Sequence, residues 1–382
     1  MERYKQFRTS PVSSRVSLSP LQTASNSPAL VCPSPPQGKG SLSPTKLPQI
    51  AQPKRHLTDK KPLIINPGFS NTSPCGSVHS YAQNTYKNQQ NPEARVKIQT
   101  NIPNPTSISP ESWPKSSVFT LFDGKYGAGC SKHLKSHLWD QFFTHKNFPF
   151  HIKDVAKEVF FKTDQDFLKQ AKFNKDISGS CALLIIIIGD KCFVINSGDS
   201  KAVISLNGGK MVTALNSQHS AKNVEEQKRV LDSGGKLGNH YIQGQTGEIT
   251  NIGSPIVIPG RLKVTRGFGH IDAKDVNFGG NPKVVISDPE VKSFKIKPEQ
   301  DFIVLASGSV WSKLSNSEVV QIVVSNLVNK EEHEMGKCLV YSIDEIFREA
   351  LKRGSNDSMT VIILVFKGIK KFFPNKGKVF NQ

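Results

Sequence analysis

The chain has 382 residues, of which 36% are hydrophobic, and a net charge of +19. Its mean hydropathy is −0.36. That length suits two or three average domains, or one large domain with a tail, and the low hydropathy implies that part of the chain packs no core. The N-terminal MERYKQFRTSP carries no apolar signal region, and the longest apolar run, ALLIIII from Ala182 to Ile188, is far short of the ~20 residues that cross a bilayer. A membrane span and a secretory leader are therefore not expected, and the reading is an intracellular protein, cytoplasmic or nuclear.

Residues 1–75 are rich in Ser, Pro, Thr, Gln and Lys. Such a segment cannot bury enough surface to offset chain entropy and is read as a disordered basic tail. Over residues 1–92, eleven Lys or Arg stand against two acids, so +9 of the charge sits in the first quarter. Basic charge attracts acidic proteins, phosphates, membranes or nucleic acid. No RNA-binding motif or finger spacing accompanies it, so nucleic acid is not the expected partner. Ser-Pro recurs through the tail, and Ser43 in SPTK has the form that proline-directed kinases favour, which makes it a candidate phosphorylation site. Each phosphate would add nearly two negative charges to the tail. The cysteines are scattered, with no CxxC, and read as free thiols in a reducing compartment.

Order is expected from about Gly76. Val118–Phe122 reads as a strand, and Cys130–Phe143 as a helix with Leu134, Leu138, Trp139 and Phe142 on one face. A second helical pattern covers residues 152–171. Three strands follow at Ala182–Ile188, Cys192–Asn196 and Ala202–Leu206. Gly189-Asp190 and Asn207-Gly208-Gly209 are turn signals that make these strands hairpins. Val224–Leu231 reads as a helix stopped by Gly234-Gly235. Val284–Ile286 and Phe302–Ala306 read as strands. Ser315 and Glu318 form a capping box that opens a helix through Leu327. A further helix ends near Gly354, and Met359–Phe366 is the final strand. Hairpins between apolar strands imply antiparallel sheets with helices packed outside them, an α+β class. Residues 369–382 form a short basic C-terminal tail, a solvated end or a docking peptide.

Eight short stretches now stand in order: FDGKYGAG (122–129), GSCA (179–182), INSGDSKAV (195–203), LDSGG (231–235), LKVTRGFGHID (262–272), VISDPEV (285–291), IVLASGSVWSKLSN (303–316) and SNDSMTVIILVF (355–366). Together they resemble the PPM family, the protein phosphatase 2C type of metal-dependent serine/threonine phosphatase, over roughly residues 77 to 368. The resemblance implies a four-layer α-β-β-α sandwich over residues 76–368. It also implies a cluster of carboxylates holding two Mg²⁺ or Mn²⁺ ions that activate a water for attack on a phosphoserine or phosphothreonine. Asp123 matches the metal-bridging aspartate, and Gly124 the glycine that offers its carbonyl. Asp357 matches the aspartate of the Asp-Asn-Met-Thr motif, with Ser358 in place of Asn. Asp199 matches a third, weaker metal position, and Glu93 is the one acid left near the early motif.

Other positions depart from the family pattern. Asn88 replaces a phosphate-binding Arg and Pro92 replaces Glu. Gly308 and Ser312 replace two aspartates, His270 replaces the Asp of Arg-x-Phe-Gly-Asp, and Lys125 and Tyr126 replace His and Gly. One carboxylate ~4 Å from a unit charge is worth about 4 kcal/mol at an effective dielectric near 20. Losing the ligand at Gly308 therefore implies orders of magnitude in metal affinity, and Mg or Mn is expected to bind weakly or not at all. Ordinary readings stand beside these. Asp123, Asp199 and Asp357 suit turns, and Glu93 suits an exposed loop. His219 and His270 suit the surface or a turn, Arg266 an internal salt bridge, and Trp311 the core.

Three functions follow. The leading one is a pseudophosphatase, a phosphatase-like domain that binds a protein partner or phosphoprotein with little or no hydrolysis. The alternative is an active but divergent metal-dependent phosphatase. The third is a basic adaptor acting through its disordered tail. The family is often monomeric, so a monomer is expected.

Overall fold

The run at Ala182–Ile188 shows no alternation because both of its faces are covered. Ala182, Leu184 and Ile186 pack with one set of helices, while Leu183, Ile185 and Ile187 pack against a second sheet. Met359–Phe366 repeats the arrangement from the other side. Val361, Ile363 and Val365 meet helices, and Ile362, Leu364 and Phe366 meet the first strand's sheet. Strands buried on both faces read as continuous apolar runs.

The computed structural model describes residues 69–71, 75–86, 93–104, 113–243 and 249–373. The elements in chain order begin with β1 (Phe69–Asn71), β2 (Val78–Tyr86), β3 (Arg95–Thr100) and β4 (Ser116–Lys125). Helices α1 (Gly129–Phe143) and α2 (Ile152–Asn174) follow. Next come β5 (Gly179–Ile188), β6 (Lys191–Ser197), β7 (Lys201–Leu206) and β8 (Met211–Ala214). A more irregular stretch holds α3 (Val224–Asp232), β9 (Lys236–Gln243), β10 (Ile249–Ile258), β11 (Phe268–Gly269) and α4 (Ile271–Lys274). The chain then forms β12 (Glu290–Lys295), β13 (Gln300–Ala306), α5 (Gly308–Trp311), α6 (Asn316–Leu327), α7 (Met335–Lys352) and β14 (Met359–Phe366).

One sheet runs β1-β2-β14-β13-β7-β8 and the other β12-β6-β5-β4-β3, with β11 added beside β5. Their strands pair antiparallel. Tyr81, Phe119, Leu183, Val194, Ile303 and Ile362 share the core between the sheets. α6 and α7 cover the first sheet and α1 and α2 the second. This is the α-β-β-α sandwich that the sequence implied.

Several elements match the sequence reading closely. α1 buries Leu134, Leu138, Trp139 and Phe142. The Gly189-Asp190 turn joins β5 to β6, and Ser315 caps α6 in a full capping box with Glu318, a device worth about 1 kcal/mol. Val284–Ile286 is a correction. It forms a turn and one isolated parallel bridge, Ile286 to Arg266. Its valines are fully buried against Val230 and Val257, so the apolar signal reported burial rather than pairing. The 1–68 tail, Ser43, Asn88, Pro92 and residues 374–382 lie outside the described residues. No described helix is long and apolar enough to cross a membrane. The five described cysteines are free and buried.

Candidate active site

β4 carries the first candidate residues to one end of the sandwich. It is buried from Ser116 to Phe122, and its register with β5 sets Asp123 opposite Cys181 and Gly124 opposite Ser180. A Cβ on Gly124 would fall 2.4 Å from the Glu93 carbonyl oxygen. Glycine is what lets the main chain before β3 lie against β4. Asp199 arrives from the turn between β6 and β7, and Asp357 from the segment before β14. Asp123, Asp199, Asp357 and Glu93 all line one cleft of about 390 Å³.

The four carboxylates share the cleft, but most face protein groups. Asp357 Oδ1 lies 3.5 Å from Lys125 Nζ, with both side chains more than half exposed. Glu93 Oε1 accepts the Gly127 N–H at 2.9 Å. Asp199 Oδ1 accepts from the Cys181 thiol at 3.4 Å. Burial, and then the charge of Asp199, push Asp123 up to about 8. Burial raises Asp199 too. It opposes the charge on Lys125 as well, but Asp357, Tyr126 and Glu93 outweigh it and hold the ammonium above its usual value.

Gly308 begins α5 beside Asp199. A Cβ there would sit 2.4 Å from Asp199 Oδ2, so the Asp199 carboxylate fills the space where a side chain at 308 would start. Ser312 closes α5 at an exposed position, its hydroxyl donating to the Ser309 carbonyl at 2.9 Å, and it does not line the cleft. Among the described residues, no three His, Cys, Asp or Glu side chains are grouped to hold a metal ion. Small hard cations need several converging oxygens. These residues therefore fit a two-metal centre poorly: one ligand is missing, another faces an ammonium, and a third packs against the gap.

Two expectations need correction. His219 and His270 are buried, at 3% and 2% exposure, rather than on the surface. Burial, with help from Lys274, holds His270 down at about 3. Its ring lies where any Cβ on Gly179 would fall, and its Nδ1 has no hydrogen-bond partner among the described residues. Burial and Arg266 hold His219 at about 4, and its Nδ1 accepts the Gly198 N–H at 3.3 Å. The reason is that β11 adds to the edge of β5 and draws residue 270 inward. Arg266 is the internal salt-bridge partner expected, 2.6 Å from Glu226. Trp311 is a core residue at 8% exposure, with Lys201 Nζ 4.4 Å over its ring.

The cleft also contains residues that the sequence did not single out: Cys181, Arg261 and Lys263. Lys263 stands in the quoted stretch LKVTRGFGHID and Arg261 just before it, between β10 and β11, but neither was singled out as a site residue. Cys181 lay in plain view in GSCA, but only the β4–β5 register shows that it faces Asp123.

A fold of this type, with carboxylates gathered at one end of two facing antiparallel sheets, defines a class. Residues 85–359 match the family model described as protein phosphatase 2C, and the chain belongs to that family. It is 30% identical over 249 residues to "Probable protein phosphatase 2C 71" of Arabidopsis thaliana, a match spanning 65% of this chain and 48% of that one. It is 29% identical over 251 residues to "Probable protein phosphatase 2C 52" of Oryza sativa subsp. japonica, spanning 66% and 44%. The chain thus spans about half the length of these curated relatives. Among solved structures, a C. elegans sex determining protein superposes with a TM-score of 0.60 at 19% identity, covering 78% of this chain and 66% of that one. A serine-threonine phosphatase 2C from Toxoplasma gondii gives 0.58 at 17%, covering 79% and 100%. At those identities the likeness is one of fold.

Proposed function

We propose that this chain is a protein phosphatase 2C-type domain that holds a protein partner and hydrolyses phosphoserine or phosphothreonine little or not at all. The observation that carries this reading is the exchange of metal-facing positions for internal contacts. Asp199 packs against Gly308 and Asp357 faces Lys125. Folding needs the apolar strands and the turns, and those are intact. Only the chemistry needs the missing ligands. In this reading residues 1–75 are a basic tail that phosphorylation at Ser43 regulates, residues 76–368 are the domain, and the protein works as an intracellular monomer.

A second reading is an active, divergent Mg- or Mn-dependent protein serine/threonine phosphatase. Two observations favour it: four carboxylates line one cleft, and the relatives carry phosphatase names. Calorimetry of the full chain with Mn²⁺, and turnover of para-nitrophenyl phosphate on the same sample, separate the two. Neither binding nor turnover is expected. Binding tighter than ~100 μM, about −5.5 kcal/mol, with turnover lost in Asp123→Ala, would sink the leading reading.

A further inference from the structure

Helix α1 turns two histidines to the same side. His133 and His137 stand four residues apart, about one turn of helix. Their rings stack, with centroids 4.3 Å apart and planes 24° from parallel. His137 is exposed, and its Nδ1 lies 2.9 Å from the His133 carbonyl oxygen. A carbonyl only accepts, so this nitrogen carries the proton and the lone pair is left on Nε2. A hydrogen bond from one ring nitrogen to a main-chain carbonyl is how proteins orient a metal-ligating histidine and fix its tautomer.

His133 is the less ordinary member. It is 7% exposed, and its Nε2 is buried with no hydrogen-bond partner among the described residues. A nitrogen so placed gives up its hydration and gains no bond in return. Phe167 of α2 packs on the ring, with centroids 5.4 Å apart, so the exposed His137 is the neighbour able to turn. α2 also brings Asp166 near enough for its charge to act on His133, which favours a cation at this place.

The donor type selects the ion. Imidazole nitrogen suits Zn, Cu and Ni, whereas Mg and Mn take carboxylate and water oxygens. Among the described residues no group of three His, Cys, Asp or Glu is assembled to hold a metal, so the remaining coordination positions here fall to water. Neither histidine lines the carboxylate cleft.

We propose that His133 and His137 form a two-imidazole chelate for a divalent ion of the Ni²⁺, Cu²⁺ and Zn²⁺ class, distinct from the carboxylate cleft. His133 Nε2 is the buried anchor. His137 closes on the ion by a turn of its exposed side chain, with no change in the fold. An ion held there stabilises the domain by mass action.

The test is calorimetric titration of the full chain with Ni²⁺ alone, in a buffer that does not chelate it. One saturable site is expected, and Ni²⁺ should raise the melting temperature. His137→Gln, at an exposed position, should fold with an unchanged melting temperature in the absence of metal. It should weaken the site by roughly tenfold or more, because chelation makes the second imidazole bond intramolecular. His333→Gln, at a side chain 75% exposed and outside α1, is the control and should leave the affinity unchanged. In magnetic resonance spectra of the histidine rings, substoichiometric Ni²⁺ should broaden His133 and His137 before the others. An absent Ni²⁺ site overturns the proposal, as does an affinity indifferent to His137→Gln or equally lost in His333→Gln. Broadening that begins at other rings also overturns it. So does displacement of Ni²⁺ by equimolar Mn²⁺, which would place the ion among oxygens.

Discussion

Two sets of charges in this domain have opposite fates. Around β11 and α4 the charges are matched. Lys274 lies 2.6 Å from Asp164, both 4% exposed, and also donates to the Gly267 carbonyl at 2.7 Å. Glu226 takes Arg266 at 2.6 Å, Arg229 at 3.1 Å and the Thr265 hydroxyl at 2.6 Å. Burial alone would raise Glu226, but those partners hold it at about 2. In the cleft, burial, and then the carboxylate of Asp199, push Asp123 up to about 8. The first set fixes residues 265–269, which lie between the cleft residues Val264 and His270. On the proposed reading, the second is what remains of a cation site when the ligands have thinned. A fold read this way keeps its electrostatic skeleton while its chemical centre drifts, because the two draw on different residues.

The sharpest way to break the comparison is on the matched side. Asp164→Ala strands the Lys274 ammonium in a dry site and removes the acceptor of the Gly269 N–H. A loss of about 3–5 kcal/mol in stability is expected, measured by urea unfolding. On the cleft side, Gly308→Asp must displace the Asp199 carboxylate and adds a like charge. A loss of about 1–3 kcal/mol is expected without metal. Added Mn²⁺ should then raise the melting temperature of the variant more than that of the parent, as scanning calorimetry would register.

The effect of pH sharpens the contrast further. A raised Asp123 pKa means the folded state holds its proton longer than the unfolded chain does. Its contribution is therefore complete below the ordinary value near 3.8 and lost as pH rises toward 8. Asp123→Asn should leave the melting temperature nearly unchanged at pH 4, and the gain over the parent should grow up to pH ~8 and then level off. Glu226, His219 and His270 act on the other limb. All three are depressed in the fold, so their contributions are present at high pH. The histidines lose theirs as pH falls from about 6.5 toward about 4 and 3, and Glu226 from about 4.5 toward 2. The smallest effect expected is Lys125→Met. Its ion pair with Asp357 is more than half exposed on both sides and is worth under about 1 kcal/mol, readable as a melting shift that shrinks in high salt.

Local chemistry was enough to read much of the fold. Apolar runs at 182–188 and 359–366, the turn glycines and the Ser315 cap each act over a few residues, so they appear in order along the chain. The strands at 78–86 and 290–295 were not legible, because both mix polar and apolar residues without a clean period: β2 buries Ser80 and Asn84 alongside Val78 and Ala82, and β12 is exposed or intermediate along its length. The turn at 284–286 misled for the converse reason, being apolar through packing alone. Of the candidate site, Asp123, Gly124, Asp199, Asp357 and Glu93 could be named from motif order, and all five line the cleft. What each one touches could not.

By itself, the sequence determined the family, the sandwich and the carboxylates that share the cleft, because short motifs in order, apolar runs and turn residues are local features of the chain. Only the tertiary structure decided that Asp199 packs into the space beside Gly308, that Lys125 answers Asp357, that His270 is buried, and that Arg261 and Lys263 line the same cleft as the carboxylates. Those facts depend on distances between residues far apart in the chain. Charge interactions fall off with separation and with solvent, so their sign and strength emerge only once the fold has set which groups are neighbours.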